Sequence, residues 1–336
     1  MLQLKKGLNI LFELGGVKTH REVHKLLEKR LDTENLEKLN RIEHDLALMK
    51  IANSIALTDP DAVFINTGSQ EDLAFIREAA LRFGEEEALA IPRHTVHFDL
   101  PEEQARIVDR TYYIYNKGSD VSIMANKILR EEACEYIREH MTGIARGKML
   151  FVGFYSRGPI GAQPTLPALE ISTSAYVMHS ANILYRNCYE QFDDEVARAG
   201  YMITNLHSEG RNRPEDLPNA RVFMDRSWQV TFALNCTYAG NTLLLKKGNH
   251  RFAVDLCTYY KKGSELSEHM FITGLTGPGG RKTYFAGAAP SGCGKTTTAM
   301  VGTDFIGDDL AQLWIADDGS LRAVNPECGI FGIVQD

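Results

Sequence analysis

A glycine-rich segment, residues 288–297, constrains the fold of this chain more than any other stretch. A strand-like run, residues 282–286, precedes it, and the residues that follow it are compatible with a helix. A strand, a loop and a helix in this order direct consecutive main-chain N–H groups and a helix N-terminus into one concavity, where a polyphosphate binds. The segment therefore predicts an α/β domain that binds a nucleotide.

The side chains of this loop match most of a known phosphate-binding pattern. Lys295 is expected to reach the β- and γ-phosphates, and the hydroxyl of Thr296 is expected to bind the magnesium ion of the nucleotide. The pattern also requires glycine five residues before Gly294, where Ala289 stands instead. A glycine-rich turn that carries lysine and threonine by coincidence is therefore the alternative. The predicted nucleotide-binding residues are Gly292, Cys293, Gly294, Lys295, Thr296 and Thr297.

A pair of adjacent carboxylates follows the loop. Asp308 and Asp309 come directly after the apolar residues 305–306, as acids at the end of a strand do. Two acids in this place can hold one or two divalent cations against the phosphates, which a phosphoryl-transfer site needs. A solvated turn is the alternative, and it is our prediction for Asp317 and Asp318, because glycine and serine follow them.

Composition excludes several classes of protein. The formal net charge of -7 argues against a nucleic-acid partner, whose binding site would be basic. The 6 cysteines are scattered without a Cys-x-x-Cys pair, which favours a reducing compartment and no zinc ribbon. No apolar stretch approaches the roughly 18 residues that span a bilayer, and the N-terminus lacks the apolar core of a signal peptide. The sequence therefore predicts a cytoplasmic protein with no membrane partner.

The order of the predicted elements indicates two α/β domains. Apolar residues recur at spacings of three and four between residues 36 and 49, which predicts a helix that Asp32 or Thr33 caps. A predicted strand, residues 61–66, precedes a helix that Ser69 is expected to cap. A polar segment broken by glycine and proline, residues 209–216, is the clearest linker. We therefore predict a substrate-side domain over residues 1–215 and a nucleotide- and metal-binding domain over residues 216–336.

Further segments in the same order give the chain a family resemblance. From about Asp59 to Asp336 it resembles the phosphoenolpyruvate carboxykinases, and specifically their GTP-using class. The ATP-using class shares the loop chemistry, but its loop usually lacks the cysteine. The matching segments are residues 154–161, 170–177, 238–241, 246–247, 268–270, 291–296, 307–309 and 321–332.

The resemblance implies a fold and a reaction. The expected fold is α/β, with an N-terminal domain built on a mixed sheet and a P-loop nucleotide-binding domain of this family's type, incomplete at its C-terminus. The expected enzyme is a carboxy-lyase of gluconeogenesis or anaplerosis. It decarboxylates oxaloacetate and phosphorylates the enolate with GTP, reversibly, to give phosphoenolpyruvate, CO2 and GDP. In the family the segment 321–332 lies near the middle of a longer chain. A C-terminal segment or a separate chain is therefore expected to complete the site, and the 336 residues alone can be inactive.

The resemblance also implies which residues hold the cations. The active-site metal, Mn2+ in this family, is expected on Lys247, His269 and Asp309. The second cation, Mg2+ or Mn2+ bound with GTP, is expected on Thr296, with Asp308 nearby. A hard divalent cation stabilises the negative charge that develops on an enolate or a phosphoryl group.

Substrate and catalytic roles follow from the same resemblance. Lys246 is expected to stabilise the bridging oxygen of the enolate. Ala239 replaces a glycine that is common in the family, and alanine is unfavourable there if φ is positive. The substrate-binding residues are expected to be Arg93, Tyr238, Gly240, Asn241 and Ser291. The catalytic residues are expected to be Lys246, Lys295, Cys293 and Ser291.

Two other functions remain compatible with the sequence. Another P-loop phosphotransferase that acts on a small molecule would keep the loop and the acidic pair, but it would give no role to Arg93, Gly240 or His269. A nucleotide-binding module without turnover is the second alternative. The two differ from a carboxykinase in whether GTP consumption depends on oxaloacetate.

Overall fold

The structure is a computed structural model that describes residues 8–99, 108–118, 125–209, 214–237, 244–261, 263–290 and 292–330. No helix in these ranges is both long and apolar enough to cross a membrane.

The helices are α1 (Ile10–Gly15), α2 (His20–Arg30), α3 (Thr33–Leu39), α4 (Asp45–Thr58), α5 (Gln70–Arg82), α6 (Arg130–Met141), α7 (Ala175–Leu184), α8 (Phe192–Ala199), α9 (Leu244–Asp255) and α10 (Lys295–Val301). The strands are β1 (Ala62–Asn66), β2 (Glu87–Ala88), β3 (Thr95–Val96), β4 (Thr111–Tyr115), β5 (Lys127–Leu129), β6 (Met149–Arg157), β7 (Leu166–Ser172), β8 (Arg186–Asn187), β9 (Ile203–Ser208), β10 (Arg221–Asp225), β11 (Val230–Leu234), β12 (Glu265–Glu268), β13 (Met270–Thr276), β14 (Lys282–Ala288), β15 (Asp304–Gly307), β16 (Ala311–Ile315) and β17 (Leu321–Val324).

Helix caps near the N-terminus follow the sequence closely. Asp32 caps α3, and its carboxylate accepts a hydrogen bond from the N–H of Asn35 at 2.8 Å. The apolar stripe over residues 36–49 is divided between α3 and α4, because the side chain of His44 caps a new helix. Ser69 caps α5, as its sequence predicts. Local capping chemistry therefore sets where these helices begin.

A large mixed sheet lies at the centre of the structure. Within the described ranges it has 9 strands in the order β1-β6-β7-β9-β11-β10-β4-β5, with β8 beside β6. Strands β7, β9 and β11 run parallel to one another, whereas β6 and β10 are antiparallel to their neighbours β7 and β11. The predicted α/β class with a mixed sheet is confirmed. The sheet contains strands on both sides of residue 215, and the predicted domain boundary there stays a prediction.

Alternating side chains bury both faces of this sheet. In β1, Val63 and Ile65 join the core that packs beneath α1 to α4, α6 and α8, whereas Phe64 joins the core beneath α5, α7 and α9. This alternation is the two-residue period of a strand. The central strands are therefore buried on both sides, and functional side chains are left for their ends.

Helix α9 lies close against the large sheet because residue 248 is glycine. A Cβ at Gly248 would lie 2.8 Å from Oγ1 of Thr231 on β11, which is too close for a side chain. The next residue, Asn249, accepts a hydrogen bond from Nδ2 of Asn205 at 3.0 Å. Asn205 also donates to Glu170 at 2.8 Å. The N-terminal turn of α9, which carries Lys246, is therefore held at a fixed distance from the sheet.

Two small antiparallel sheets form the C-terminal part. Their strand orders are β12-β16-β17 and β14-β13-β15. The segment after β17 returns to the large sheet, where the carbonyl of Pro326 accepts a hydrogen bond from the N–H of Gly158 at 3.0 Å. The N–H of Cys328 donates to the carbonyl of Leu184 at 2.7 Å. Main-chain hydrogen bonds therefore fix this segment against the N-terminal part of the chain.

A lysine is buried between α4 and the large sheet. The side chain of Lys50 is 1% exposed, and its Nζ donates to Oγ1 of Thr204 at 2.7 Å. Burial lowers the pKa of Lys50 to about 7, although the nearby carboxylate of Asp225 opposes this shift. Burial also raises the pKa of Asp225 to about 6.

Replacement of Lys50 by Met is expected to change how stability depends on pH. Above about pH 7 the unfolded chain binds more protons at this position than the folded chain, because the pKa of Lys50 is lowered only in the folded protein. The contribution of Lys50 to the free energy of unfolding of the wild type therefore rises by about 1.4 kcal/mol per pH unit. The unfolding temperature of the wild type minus that of Lys50→Met, measured by calorimetry, should therefore increase from about pH 7 to about pH 9.

The exposed Lys29 of α2 supplies the control for this experiment. The difference in unfolding temperature between the wild type and Lys29→Met should stay constant over the same pH range. A difference for Lys50→Met that also stays constant, or that falls, would show that Lys50 keeps its proton throughout.

Candidate active site

The predicted phosphate loop joins the end of β14 to the start of α10. Gly292 and Gly294 have φ values of 82° and 85°, in the left-handed region that favours glycine. The N–H of Cys293 donates to the carbonyl of Pro290 at 3.2 Å and closes a turn. Gly294 is the N-cap of α10, so the loop leads directly into a helix, as the sequence predicts. Ser291 lies outside the described residues.

Two side-chain contacts join this loop to the acidic pair after β15. Nζ of Lys295 lies 3.1 Å from Oδ1 of Asp309. The hydroxyl of Thr296 donates to Oδ2 of Asp308 at 2.8 Å. Thr297 is exposed in the first turn of α10. The structure therefore brings the two predicted motifs of the nucleotide site into direct contact.

Asp309 also contacts the lysine at the start of α9. Its Oδ2 lies 3.0 Å from Nζ of Lys246, so one carboxylate is shared by two ammonium groups. Burial works to raise the pKa of Asp309, but Lys246 and Lys295 outweigh it and lower the pKa to about 2. Burial likewise works to lower the pKa of Lys246, but Glu327 and Asp309 outweigh it and raise that pKa. Asp309 is therefore ionised and Lys246 protonated near neutral pH.

Glu327 is a second acid beside Lys246. Its side chain is 2% exposed, and its Oε1 lies 3.2 Å from Nζ of Lys246. The hydroxyl of Tyr185 donates to the same oxygen at 3.3 Å. The N–H of Glu327 donates to the side chain of Asn325, which in turn donates to the carbonyl of Ile306 at 3.0 Å. Glu327 is therefore held in place by the neighbouring segment and holds Lys246 in turn.

Two histidines lie together near these charges. The rings of His250 in α9 and His269, between β12 and β13, have centroids 4.2 Å apart and planes inclined at 67°. The ligand atoms of His250, Glu268 and His269 all lie within 4.8 Å of one another. Burial lowers the pKa of His269, while the charge of Asp309 opposes the shift. Burial and the charge of Arg157 lower the pKa of His250 to about 2.

Comparison with known proteins identifies the family of this chain. The profile of the phosphoenolpyruvate carboxykinase N-terminal domain matches residues 50–258, and that of the phosphoenolpyruvate carboxykinase C-terminal P-loop domain matches residues 265–336. The chain belongs to the phosphoenolpyruvate carboxykinase family. The family resemblance expected from the motifs is thereby confirmed.

Curated relatives carry the name phosphoenolpyruvate carboxykinase (GTP). The protein of Thermococcus sibiricus is 41% identical over 318 residues, which cover 92% of this chain and 50% of that protein. That of Pyrococcus furiosus is 39% identical over 319 residues, with 94% and 50% covered. The more distant protein of Chlamydia caviae is 31% identical over 320 residues, with 88% and 52% covered. The chain thus spans about half the length of the curated carboxykinases that it matches.

Several residues expected from the carboxykinase resemblance are not seen in the cluster around Asp309. Arg93 is exposed in the turn between β2 and β3 with a φ of 69°, and no described contact joins it to the phosphate loop. Lys247 lies in α9, one residue after Lys246, but its side chain lies outside the described residues. The segment with Tyr238, Ala239, Gly240 and Asn241 also lies outside them.

His97 directly follows the hairpin that carries Arg93, and it interacts with the main chain of Thr237, just before Tyr238. The ring of His97 stacks on that of Tyr176 with centroids 3.7 Å apart. Burial works to lower the pKa of His97, but Asp99 and the main chain of Glu85 and Thr237 raise it. Thr237 is the last described residue before Tyr238.

Two residues of the cluster around Asp309, Glu327 and His250, have no role predicted from the sequence. Glu327 lies within the family segment 321–332, but its partner Lys246 is distant in sequence, so no spacing pattern identifies its role. His250 follows Lys246 by four residues, so the two share one face of a helix. That spacing becomes informative only once residues 244–255 are known to be helical.

The 6 cysteines differ in their exposure. Cys293 in the phosphate loop and Cys328 are exposed, whereas the other four are buried. Burial of its thiol raises the pKa of Cys328, which slows its reaction with an alkylating reagent. Cys293 is exposed in the phosphate loop, where an alkylating reagent can reach its thiol.

Iodoacetamide is therefore expected to modify Cys293 first, with loss of GTP binding, and GTP should protect it. Cys328 should react more slowly, and Cys134, Cys188, Cys236 and Cys257 only after unfolding. Peptide mass spectrometry over a time course measures the order of labelling, and Cys293→Ser serves as the control. Equal labelling of all cysteines, or labelling of Cys293 that GTP does not slow, would contradict this assignment.

Proposed function

We propose that this chain acts in the reversible decarboxylation and phosphorylation of oxaloacetate by GTP, which yields phosphoenolpyruvate, CO2 and GDP. The relatives that it matches are named as GTP carboxykinases. The observation that carries the proposal is the contact of Asp309 with both Lys295 of the phosphate loop and Lys246 of α9. A γ-phosphate and an enolate oxygen can then be stabilised side by side by preorganised charges.

The residues around Asp309 fit a divalent cation. Asp309 offers an ionised carboxylate, and the ligand atoms of His269 and Glu268 lie near those of a second histidine. Carboxylate ligands suit Mn2+. We propose that Lys247, His269 and Asp309 hold the Mn2+ ion, and that Thr296 with Asp308 holds the Mg2+ or Mn2+ ion of the nucleotide. Such a cation, when bound, stabilises the negative charge of an enolate.

Lys295 and Lys246 stabilise negative charge at two different places. Lys295 is oriented by Asp309 within the phosphate loop, where its ammonium is directed at the β- and γ-phosphates. Lys246 is kept protonated by Asp309 and Glu327, so its ammonium is available to the enolate oxygen. Cys293 and Ser291 belong to the same loop, and we assign them a supporting role there.

Substrate binding completes the proposal. Arg93, Tyr238, Gly240, Asn241 and Ser291 are proposed to hold the carboxylates of oxaloacetate, as the carboxykinase resemblance implies. A guanidinium can bind a carboxylate through two parallel hydrogen bonds. We also propose the cytoplasm as the location, because 6 free cysteines suit a reducing compartment.

An assay of turnover separates this proposal from its alternatives. With Mn2+ present, the protein expressed from its whole gene should convert GTP to GDP only when oxaloacetate is added. GTP consumption that is independent of oxaloacetate but depends on another small molecule would favour a different P-loop phosphotransferase. Binding of GTP without any turnover would favour a nucleotide-binding module.

Replacement of Lys295 by Met is expected to lower the turnover rate by about 100-fold or more, because a preorganised cation at the phosphates is lost. The matched control is Lys282→Met, since Lys282 is an exposed lysine of β14 whose ion pair with Asp304 lies outside the cluster around Asp309. Steady-state kinetics with GTP measures both variants. Equal rates for the two variants would remove Lys295 from the catalytic residues.

Replacement of Lys247 by Met is expected to weaken Mn2+ binding by at least about tenfold, since a ligand of the metal is lost. Lysine binds a metal only as the neutral amine, and a methionine side chain of similar length keeps the packing but offers no such nitrogen. Titration with Mn2+, followed by the EPR signal of the free ion, measures the affinity, and Lys282→Met is again the control. Unchanged Mn2+ affinity in Lys247→Met would exclude this residue as a ligand.

A further inference from the structure

A buried arginine at the end of β6 contacts His250, the histidine whose ring packs on that of His269. Arg157 is 1% exposed, and its guanidinium donates to Gln312 at 3.0 Å and to Ser267 at 3.3 Å. Its Nη2 also lies 3.3 Å from Nδ1 of His250. None of the described hydrogen bonds or ion pairs of Arg157 is made to a carboxylate. Glu327 attracts the guanidinium only through space, so the hydrogen bonds of Arg157 are left for neutral partners, among them His250.

The guanidinium determines which nitrogen of His250 carries the proton. Arginine has only donors, so Nδ1 of His250 must accept the hydrogen bond from Arg157. A neutral imidazole that accepts at Nδ1 carries its proton on Nε2. A metal ligand has to present a lone pair, and the protonated Nε2 has none to offer. His250 is therefore held in a form that does not bind a cation directly.

His250 nevertheless lies against the ring that is proposed to bind the cation. Its ring meets that of His269 at a centroid distance of 4.2 Å and an angle of 67°, an edge-to-face contact. It projects from the same face of α9 as Lys246, one turn later, and is 4% exposed. The position of His250 is thus fixed by Arg157 on one side and by the helix on the other.

We propose that His250, fixed by Arg157, positions the ring of His269 for a divalent cation without binding the ion itself. This inference rests on the proposed function, in which His269 is a ligand of Mn2+. His250 is a positioning residue, because it acts on the cation through His269. Hydrogen-bonded partners behind a metal ligand change metal affinity by about 10–100-fold when they are removed, and we expect this ring contact to act at the lower end of that range.

The test is Mn2+ affinity, measured by EPR titration of the whole protein without substrate. His250→Ala should weaken Mn2+ binding by about tenfold. Arg157→Met should weaken it in the same direction, and the double variant should be little weaker than either single variant, because both substitutions break one chain of contacts. His24→Ala, at an exposed histidine of α2, should leave the affinity unchanged.

Additional variants separate this inference from the proposed function and from misfolding. His250→Asn keeps an acceptor for Arg157 but lacks the ring, so it should fold and still bind Mn2+ more weakly. If His269→Ala leaves Mn2+ affinity unchanged, the proposed metal site itself is wrong. If His269→Ala weakens binding but His250→Ala and His250→Asn do not, only the positioning role is wrong.

Electron spin echo spectroscopy of bound Mn2+ distinguishes positioning from direct ligation. The modulation from histidine nitrogen should indicate one histidine ligand in the wild type and also one in His250→Ala. Two histidine ligands in the wild type and one in His250→Ala would show that His250 binds the ion, and would overturn the inference.

Discussion

The site depends first on the carboxylate of Asp309, where two ammonium groups from separate elements meet. Lys295 belongs to the phosphate loop, and Lys246 belongs to α9, the helix that lies on the large sheet. Without a negative charge between them, two partly buried cations would repel each other strongly. Asp309, with Glu327 on the other side of Lys246, therefore lets two ammonium groups lie close together in a chain whose formal net charge is -7.

Contacts outside the charged groups fix the distances within this cluster. Glu327 reaches Lys246 from a segment whose main chain is hydrogen-bonded to the N-terminal part through Gly158 and Leu184. The small sheets that carry the phosphate loop are thus tied to the large sheet by main-chain bonds as well as by ion pairs. The distances between the charged groups of this site therefore depend on how the small sheets pack against the large sheet.

Local features of the site could be predicted from the sequence, whereas long-range ones could not. The loop around Gly294 and the acids after β15 are encoded by neighbouring residues, and the structure places them as expected. The stripe over residues 36–49 predicts helical structure correctly, but not the break between α3 and α4. The roles of Glu327 and His250 depend on partners that are distant in sequence, and no spacing pattern reports such contacts. The order of strands in the large sheet is likewise set by packing across the whole N-terminal part.

Gly248 carries no functional group, yet the reach of Lys246 depends on it. A Cβ at this position would lie 2.8 Å from Oγ1 of Thr231, so a larger residue requires either the threonine or the helix to shift. A shift of the helix would move the ammonium group two positions earlier relative to both of its acids. A residue without any functional group can thus determine where a charge lies, through the thickness of one gap between two layers of the fold.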